Sequence, residues 1–442
     1  EMIKRTLSVL STPAARAALP GLIGEMASDP TLHDALLERF GDILVRGLND
    51  YLEAAIGRGA VRHDVTAAEL PGTGNPCGNG TAVGVLADAA NVYSTSVTRG
   101  GQLWAAAVNE QGGICGRQVT LDVQDATADP AAATAAYHTQ SSSVLGYLQI
   151  GGAATTAALA PTLETDGVLA VTDAPDSSAR AFAGVMVLGP TYDVQAINGL
   201  DWLASQDQLA DDAVIAHVRD DSAYGTNAAL GVAAYAAERG LQVVDIPVGA
   251  ADTDLTAAMT SAQQQGATAV VLSTSPAATT SATVANKALG LDVPLVAGSE
   301  SFAPASLADV TTTAAYTQLN LVQGFAPLSA SVSTAEDLAA AYADEYGDDP
   351  GPGVTAGYVA GLAWQQILQE ACDSKDLSRA GVQKARESVG ELDTSALSVA
   401  IDLGESSRES LVVRTDPNSV GKLVLASEPF TSAEAESFQL PS

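Results

Sequence analysis

Apolar positions between Asp29 and Gly59 recur at threes and fours: Leu36, Leu37, Phe40, Ile43, Leu44, Leu48, Leu52 and Ile56. That spacing predicts a helix with one apolar face. Asp29 followed by Pro30 supplies an N-cap and a proline at the first helical position, and Gly57 and Gly59 supply the stop. An earlier helix, "PAARAALPGLIGEMAS", is interrupted at Pro20. From Thr81 the pattern changes. Short apolar or alternating runs ("TAVGVLAD", "RQVTLDVQDA", "VLGYLQIGG", "VLAVTDA", "DDAVIAHVRDD", "LQVVDIPVG", "ATAVVLSTS", "VPLVAGSE") alternate with longer runs of helical period. This alternation predicts parallel sheets with helices on both faces. About nine such strands are more than one sheet of this kind usually holds, so two doubly wound lobes are expected. In such sheets a ligand sits at the carboxyl ends of the strands.

Between the two patterns lies "ELPGTGNPCGNGTAVGV", Glu69–Val85, rich in glycine and proline and carrying Cys77. It divides the chain into a helical segment at 1–70, a linker at 71–76 and an α/β protein from 77 onward. Charge sharpens the division. Of a formal net charge of -32, residues 1–70 contribute only -3. The acidic remainder repels phosphate backbones, so no nucleic-acid partner is expected. No run of about 18 apolar residues is present, so no transmembrane helix is expected. No basic stretch followed by an apolar one opens the chain, so no secretory signal is visible in it.

Candidate chemistry changes the picture little. "GNGTAVG" has dinucleotide-like glycines, but they precede a strand instead of following it. There is no G-x-S-x-G, no P-loop lysine and no metal-type Cys/His grouping. No enzyme activity, no metal and no cofactor is expected.

Two resemblances add to this reading. "LPGLIGEMASDPTLHDALLERF" and "LEAAIGRGAVRHDV" resemble the C-terminal domain of TetR-type regulators. No basic recognition helix accompanies them, so DNA binding is not implied. The remainder resembles type I periplasmic binding proteins of the leucine/isoleucine/valine-binding family, which feed ABC importers. It does so through "RGGQLWAAAVNEQGGICGRQVTLDVQDATADPAAA", "IGGAATTAALAPTLETDGVLAVTDA", "VRDDSAYGTNAAL", "VPLVAGSE" and "GYVAGLAWQQIL". The resemblance implies two α/β lobes joined by three crossovers: 77–193 plus 324–392 as lobe 1, and 194–323 plus 393–442 as lobe 2.

It also implies a site. Thr155 and Thr156, opening a helix after a strand, would bind a ligand carboxylate with hydroxyls and backbone N–H groups, and Ala154 would contribute backbone. Ala174 would offer its carbonyl to an ammonium. Asp176, where the family has Thr, either accepts from the ammonium or caps the short helix after it. Glu300 would pair with the ammonium on lobe closure. Tyr93 and Tyr224 would cover the ligand. Ser275, where an aromatic often lies, would leave room for a larger ligand side chain.

The function expected is an extracytoplasmic substrate-binding protein that captures an amino acid or related amide or amine for a membrane permease. The alternative is a ligand-sensing module joined to a regulator-like piece. Cys77 and Cys115 each precede one of the first two strands, which should be parallel neighbours. A Cys77–Cys115 disulfide is therefore expected, with a lipid anchor at Cys77 as the competing reading.

Overall fold

A computed structural model describes residues 81–126, 129–405 and 407–439. The helical segment, the linker and Cys77 lie outside the described residues.

The chain first builds a five-stranded parallel sheet from β1 (Thr81–Ala87), β2 (Val119–Asp125), β3 (Tyr147–Ile150), β4 (Ala170–Thr172) and β5 (Val185–Met186). Their order is β2-β1-β3-β4-β5. Between them run α1 (Val92–Glu110), α2 (Pro130–Gln140) and α3 (Ala153–Asp166). Asn91 caps α1 by accepting from the Ser94 N–H, and Asp129 caps α2 just before Pro130. These local signals start the helices where strand pairing ends.

After β5 the chain crosses to a second sheet. α4 (Tyr192–Ser205) leads into β6 (Val214–Asp220), α5 (Ala223–Arg239), β7 (Gln242–Val248), α6 (Thr256–Gln264) and β8 (Ala269–Ser273). Then come α7 (Pro276–Ala288), β9 (Leu295–Gly298), α8 (Val310–Ala315) and β10 (Leu319–Gln323). It returns to lobe 1 for α9 (Ser333–Glu345), α10 (Gly353–Asp373) and α11 (Arg379–Val389), then crosses a third time to β11 (Leu411–Thr415), β12 (Leu423–Leu425) and α12 (Ala433–Ser437). The second sheet has the order β12-β11-β10-β9-β8-β6-β7. Its last two strands are antiparallel, a departure from the all-parallel expectation. They form a hairpin, which needs no crossover helix. Side chains of β6 alternate between two cores, Ile215 on one face and Ala216 and Val218 on the other. Both faces of this sheet are thus covered.

The disulfide joins Cys115 to Cys372, with Cα atoms 6.4 Å apart. The Cys77–Cys115 pairing is corrected, because Cys115 has no second bond to give. β1 and β2 do pair in parallel, but strand adjacency is not what decides the partner. Helices α1 and α10 run parallel in contact: Gly353 lies against Tyr93, Gly357 against Val97 and Gly361 against Trp104. Their carboxyl ends therefore come together, and Cys372 sits at one of them.

His217, on β6, is 1% exposed and its Nε2 lies 3.0 Å from the Ser273 hydroxyl. Burial lowers its pKa to about 4; Asp245 opposes that and Arg219 adds to it. The unfolded imidazole titrates near 6.5. Its neutral form therefore contributes stability fully above about pH 6.5, and the contribution is lost as pH falls toward 4, reaching about 3 kcal/mol. Urea midpoints at pH 7 and 4.5 test this. His217→Gln should flatten the difference, and an unchanged difference would refute it.

Candidate functional site

Polar groups lie at the carboxyl ends of strands in both lobes. In lobe 1, Gly152 (φ 84°) turns the chain from β3 into α3. Its N–H donates to Asp173 Oδ1 at 2.8 Å, and Gln149 Nε2 donates to Asp173 Oδ2 at 2.8 Å. Gln149 also donates to the Ser94 carbonyl and hydroxyl, and accepts from the Thr98 hydroxyl at 2.7 Å. Asp173 is thus fixed by a satisfied buried network. Burial raises its pKa, and the nearby Asp88 adds to that, while Gly152, Gln149 and Ser94 pull it back.

In lobe 2, Glu300 follows β9. Burial pushes its carboxyl up to about 7, with further upward pressure from Asp173 in lobe 1 and opposing hydrogen bonds from its own backbone, Ser299 and Tyr192. Tyr93, from α1 of lobe 1, lies beside Ser299 and feels both Glu300 and Asp173; burial first, then those charges, hold its phenol well above the usual range. Tyr192 behaves alike, and its ring lies 4.7 Å from that of Tyr224. These contacts span the cleft between the lobes. A second contact spans it nearby: Asn227 on α5 donates to the Ser177 hydroxyl, in the short helix after β4, at 2.6 Å.

The sequence-derived candidates divide. Tyr93, Glu300 and Tyr224 meet in this space. Tyr224 offers its ring more than its hydroxyl, which accepts from the Gly298 N–H at 2.7 Å and pairs with Ser301 at 3.1 Å. Thr155 is 1% exposed and its hydroxyl has no partner. That orphan donor at a helix N-terminus is suited to an anionic or carbonyl acceptor. Thr156 instead bonds the Gly152 carbonyl and Thr172. Ala154 is exposed on the first turn of α3. The Ala174 carbonyl already accepts from the Asp176 N–H and the Thr172 hydroxyl. Asp176 caps the helix after it, accepting from the Ser178 N–H at 2.8 Å. Ser275 caps α7.

Asp173, Tyr192 and Gln195 escaped the sequence reading. Asp173 stands directly after β4, at the carboxyl end of a strand, which was a usable signal. Tyr192 and Gln195 lie on α4, just past the crossover, where no strand-end rule points.

The residues at 82–408 match the sequence profile of the periplasmic binding protein family, and residues 1–72 match that of the tetracyclin repressor-like C-terminal domain. No curated protein sequence matches the chain. Among solved structures, a fatty acid ABC transporter substrate-binding protein from Thermomonospora curvata is 26% identical, with a TM-score of 0.78 over 82% of this chain and 95% of that one. A branched-chain amino acid ABC transporter protein from Thermus thermophilus with bound valine is 16% identical, with a TM-score of 0.69 over 81% and 98%. A leucine-binding protein from Thermotoga maritima is 17% identical, with a TM-score of 0.65 over 79% and 98%. Two wound lobes, three crossovers and polar groups converging between them accompany a profile match across most of its length, and the chain belongs to the periplasmic binding protein family.

Proposed function

We propose that the two-lobed protein is the extracytoplasmic substrate-binding protein of an ABC importer, and that it captures an amino acid or a related amide or amine between its lobes. The observation that carries this reading is Glu300 of lobe 2 set against Tyr93 and Asp173 of lobe 1. A carboxylate buried across a closing cleft is stabilised by a ligand ammonium, and the ligand in turn holds the lobes shut. The unpartnered Thr155 hydroxyl suits the ligand's carboxylate or carbonyl. The closed form would then be what a membrane permease recognises. The relatives whose names give valine or leucine favour the same class, and the fatty acid relative sets the competing one. No observation of the fold favours the sensor reading over it.

The test is a thermal-shift screen across amino acids, amides, polyamines and fatty acids. A ligand at one hundred times its dissociation constant adds about 2.7 kcal/mol. Glu300→Gln should weaken an ammonium-bearing ligand roughly 10- to 100-fold, the loss of a buried charge-assisted hydrogen bond. A screen answered only by fatty acids, or unaltered affinity in Glu300→Gln, overturns the reading.

A further inference from the structure

We propose that the cleft selects ligands of net positive charge, held by acceptor groups of both lobes: Glu300 and Gln195 from lobe 2 and Asp173 from lobe 1. The inference rests on the ammonium-capturing reading above and narrows it to amines, amino-acid amides and amino acids with a second basic group.

The geometry is clearest at Gly298. A Cβ there would stand 2.9 Å from the Tyr224 hydroxyl, 3.0 Å from Glu300 Oε2 and 3.2 Å from Gln195 Oε1. Three oxygens thus lie close around Gly298. Gln195 is 6% exposed, and its nitrogen donates to the Pro190 carbonyl at 2.9 Å. That carbonyl can only accept, so the amide cannot be turned round. Its oxygen is left near Gly298, buried and without a donor. A buried acceptor beside a buried carboxylate calls for a donor from outside the chain.

Asp173 adds a second negative group. Its hydrogen bonds from Gly152 and Gln149 fix it but bring no positive charge. Among the described residues, no ion pair or hydrogen bond joins a Lys, Arg or His to Asp173 or Glu300. A neutral zwitterion brings one ammonium to two carboxylates and adds a carboxylate of its own. A buried charge left uncompensated is strongly unfavourable. A ligand of net positive charge leaves less uncompensated.

The test uses ligand triples of one shape and different charge: leucine, leucinamide and 4-methylpentanoate, with the phenylalanine and glycine counterparts, and lysine besides. In the full chain the amide should bind at least about tenfold tighter than its parent amino acid, and the acid least. Its dissociation constant should rise as pH falls through about 7, where Glu300 takes up a proton. The ionisable groups facing Glu300 are Asp173, Tyr93 and Tyr192, with Tyr224 beyond and Asp88 near Asp173, and none offers a compensating cation. Asp173→Asn should cost the amide about tenfold more than it costs the zwitterion. If the zwitterion binds tighter than the amide, or Asp173→Asn spares the amide, this inference falls and the ammonium reading stands. If only the acids bind, both fall. Should the variant fail to fold, the charge ranking and the pH slope in the unsubstituted protein decide alone.

Discussion

Gly357→Ala is expected to destabilise the protein by about 2–3 kcal/mol, although glycine to alanine inside a helix ordinarily stabilises by up to about 1 kcal/mol. The reversal of sign comes from the seam between α1 and α10. A Cβ on Gly357 would stand 1.9 Å from the Val97 carbonyl oxygen and 2.7 Å from its carbon. Both are backbone atoms, so no side chain can rotate away. Gly100 faces the Val354 carbonyl at 1.9 Å in the same sense, and Gly361 faces Cγ of Trp104 at 2.2 Å. The helices touch backbone to backbone, and one methyl group must drive them apart by more than an ångström. Contacts along the whole seam weaken together. The effect reaches the cleft, because α1 carries Tyr93 and Ser94 at its first turn. Ligand affinity should therefore fall along with the urea midpoint. Gly347→Ala, where a Cβ meets nothing within 4 Å, is the control and should change neither. A Gly357→Ala protein as stable as the control would mean the helices are not so closely packed.

The alternation of strand and helix was legible because most parallel strands are followed by a covering helix, and the period changes at those junctions. The hairpin β11–β12 was not, since only a three-residue 3-10 turn lies between its strands and no α-helix marks a unit. At the site, the family resemblance pointed to Thr155 after β3 and Glu300 after β9. It named Asp176 and passed over Asp173 in "TDAPD". The two acids are told apart by the turn after β4, where Asp173 is held toward the cleft by Gly152 and Gln149 while Asp176 turns away to cap. Gln195 was out of reach for another reason. A glutamine one turn into a helix reads as ordinary until the Pro190 carbonyl is known to take its nitrogen. The disulfide failed in the same way: the sequence shows which strands neighbour each other, but the α1–α10 contact joins segments some 257 residues apart. Glycines 353, 357 and 361, spaced by four within one helix, were the signal of that contact.

Cutting the Cys115–Cys372 bond by Cys372→Ser should lower stability by about 4 kcal/mol, near the upper end for a single disulfide. The bond spans 257 residues, so in the unfolded chain it closes a very long loop and removes much of that chain's freedom. It also ties the carboxyl ends of the two helices whose amino-terminal halves meet at Gly357. The consequences of the two substitutions should therefore not add. With α10 untethered, the strain at residue 357 can relax by swinging the helix end away, so the double variant should lose less than the sum. Peptide mapping should recover one crosslink, between the turn at 111–118 and the end of α10, and the denatured protein should show one free thiol among its three cysteines. A reductant should bring the unsubstituted protein to the melting temperature of Cys372→Ser. Three free thiols, or a crosslink from Cys77, would remove the bond from the account. A bond that survives purification points to an oxidising compartment, where a protein that hands ligand to a permease from outside the cytoplasm would work.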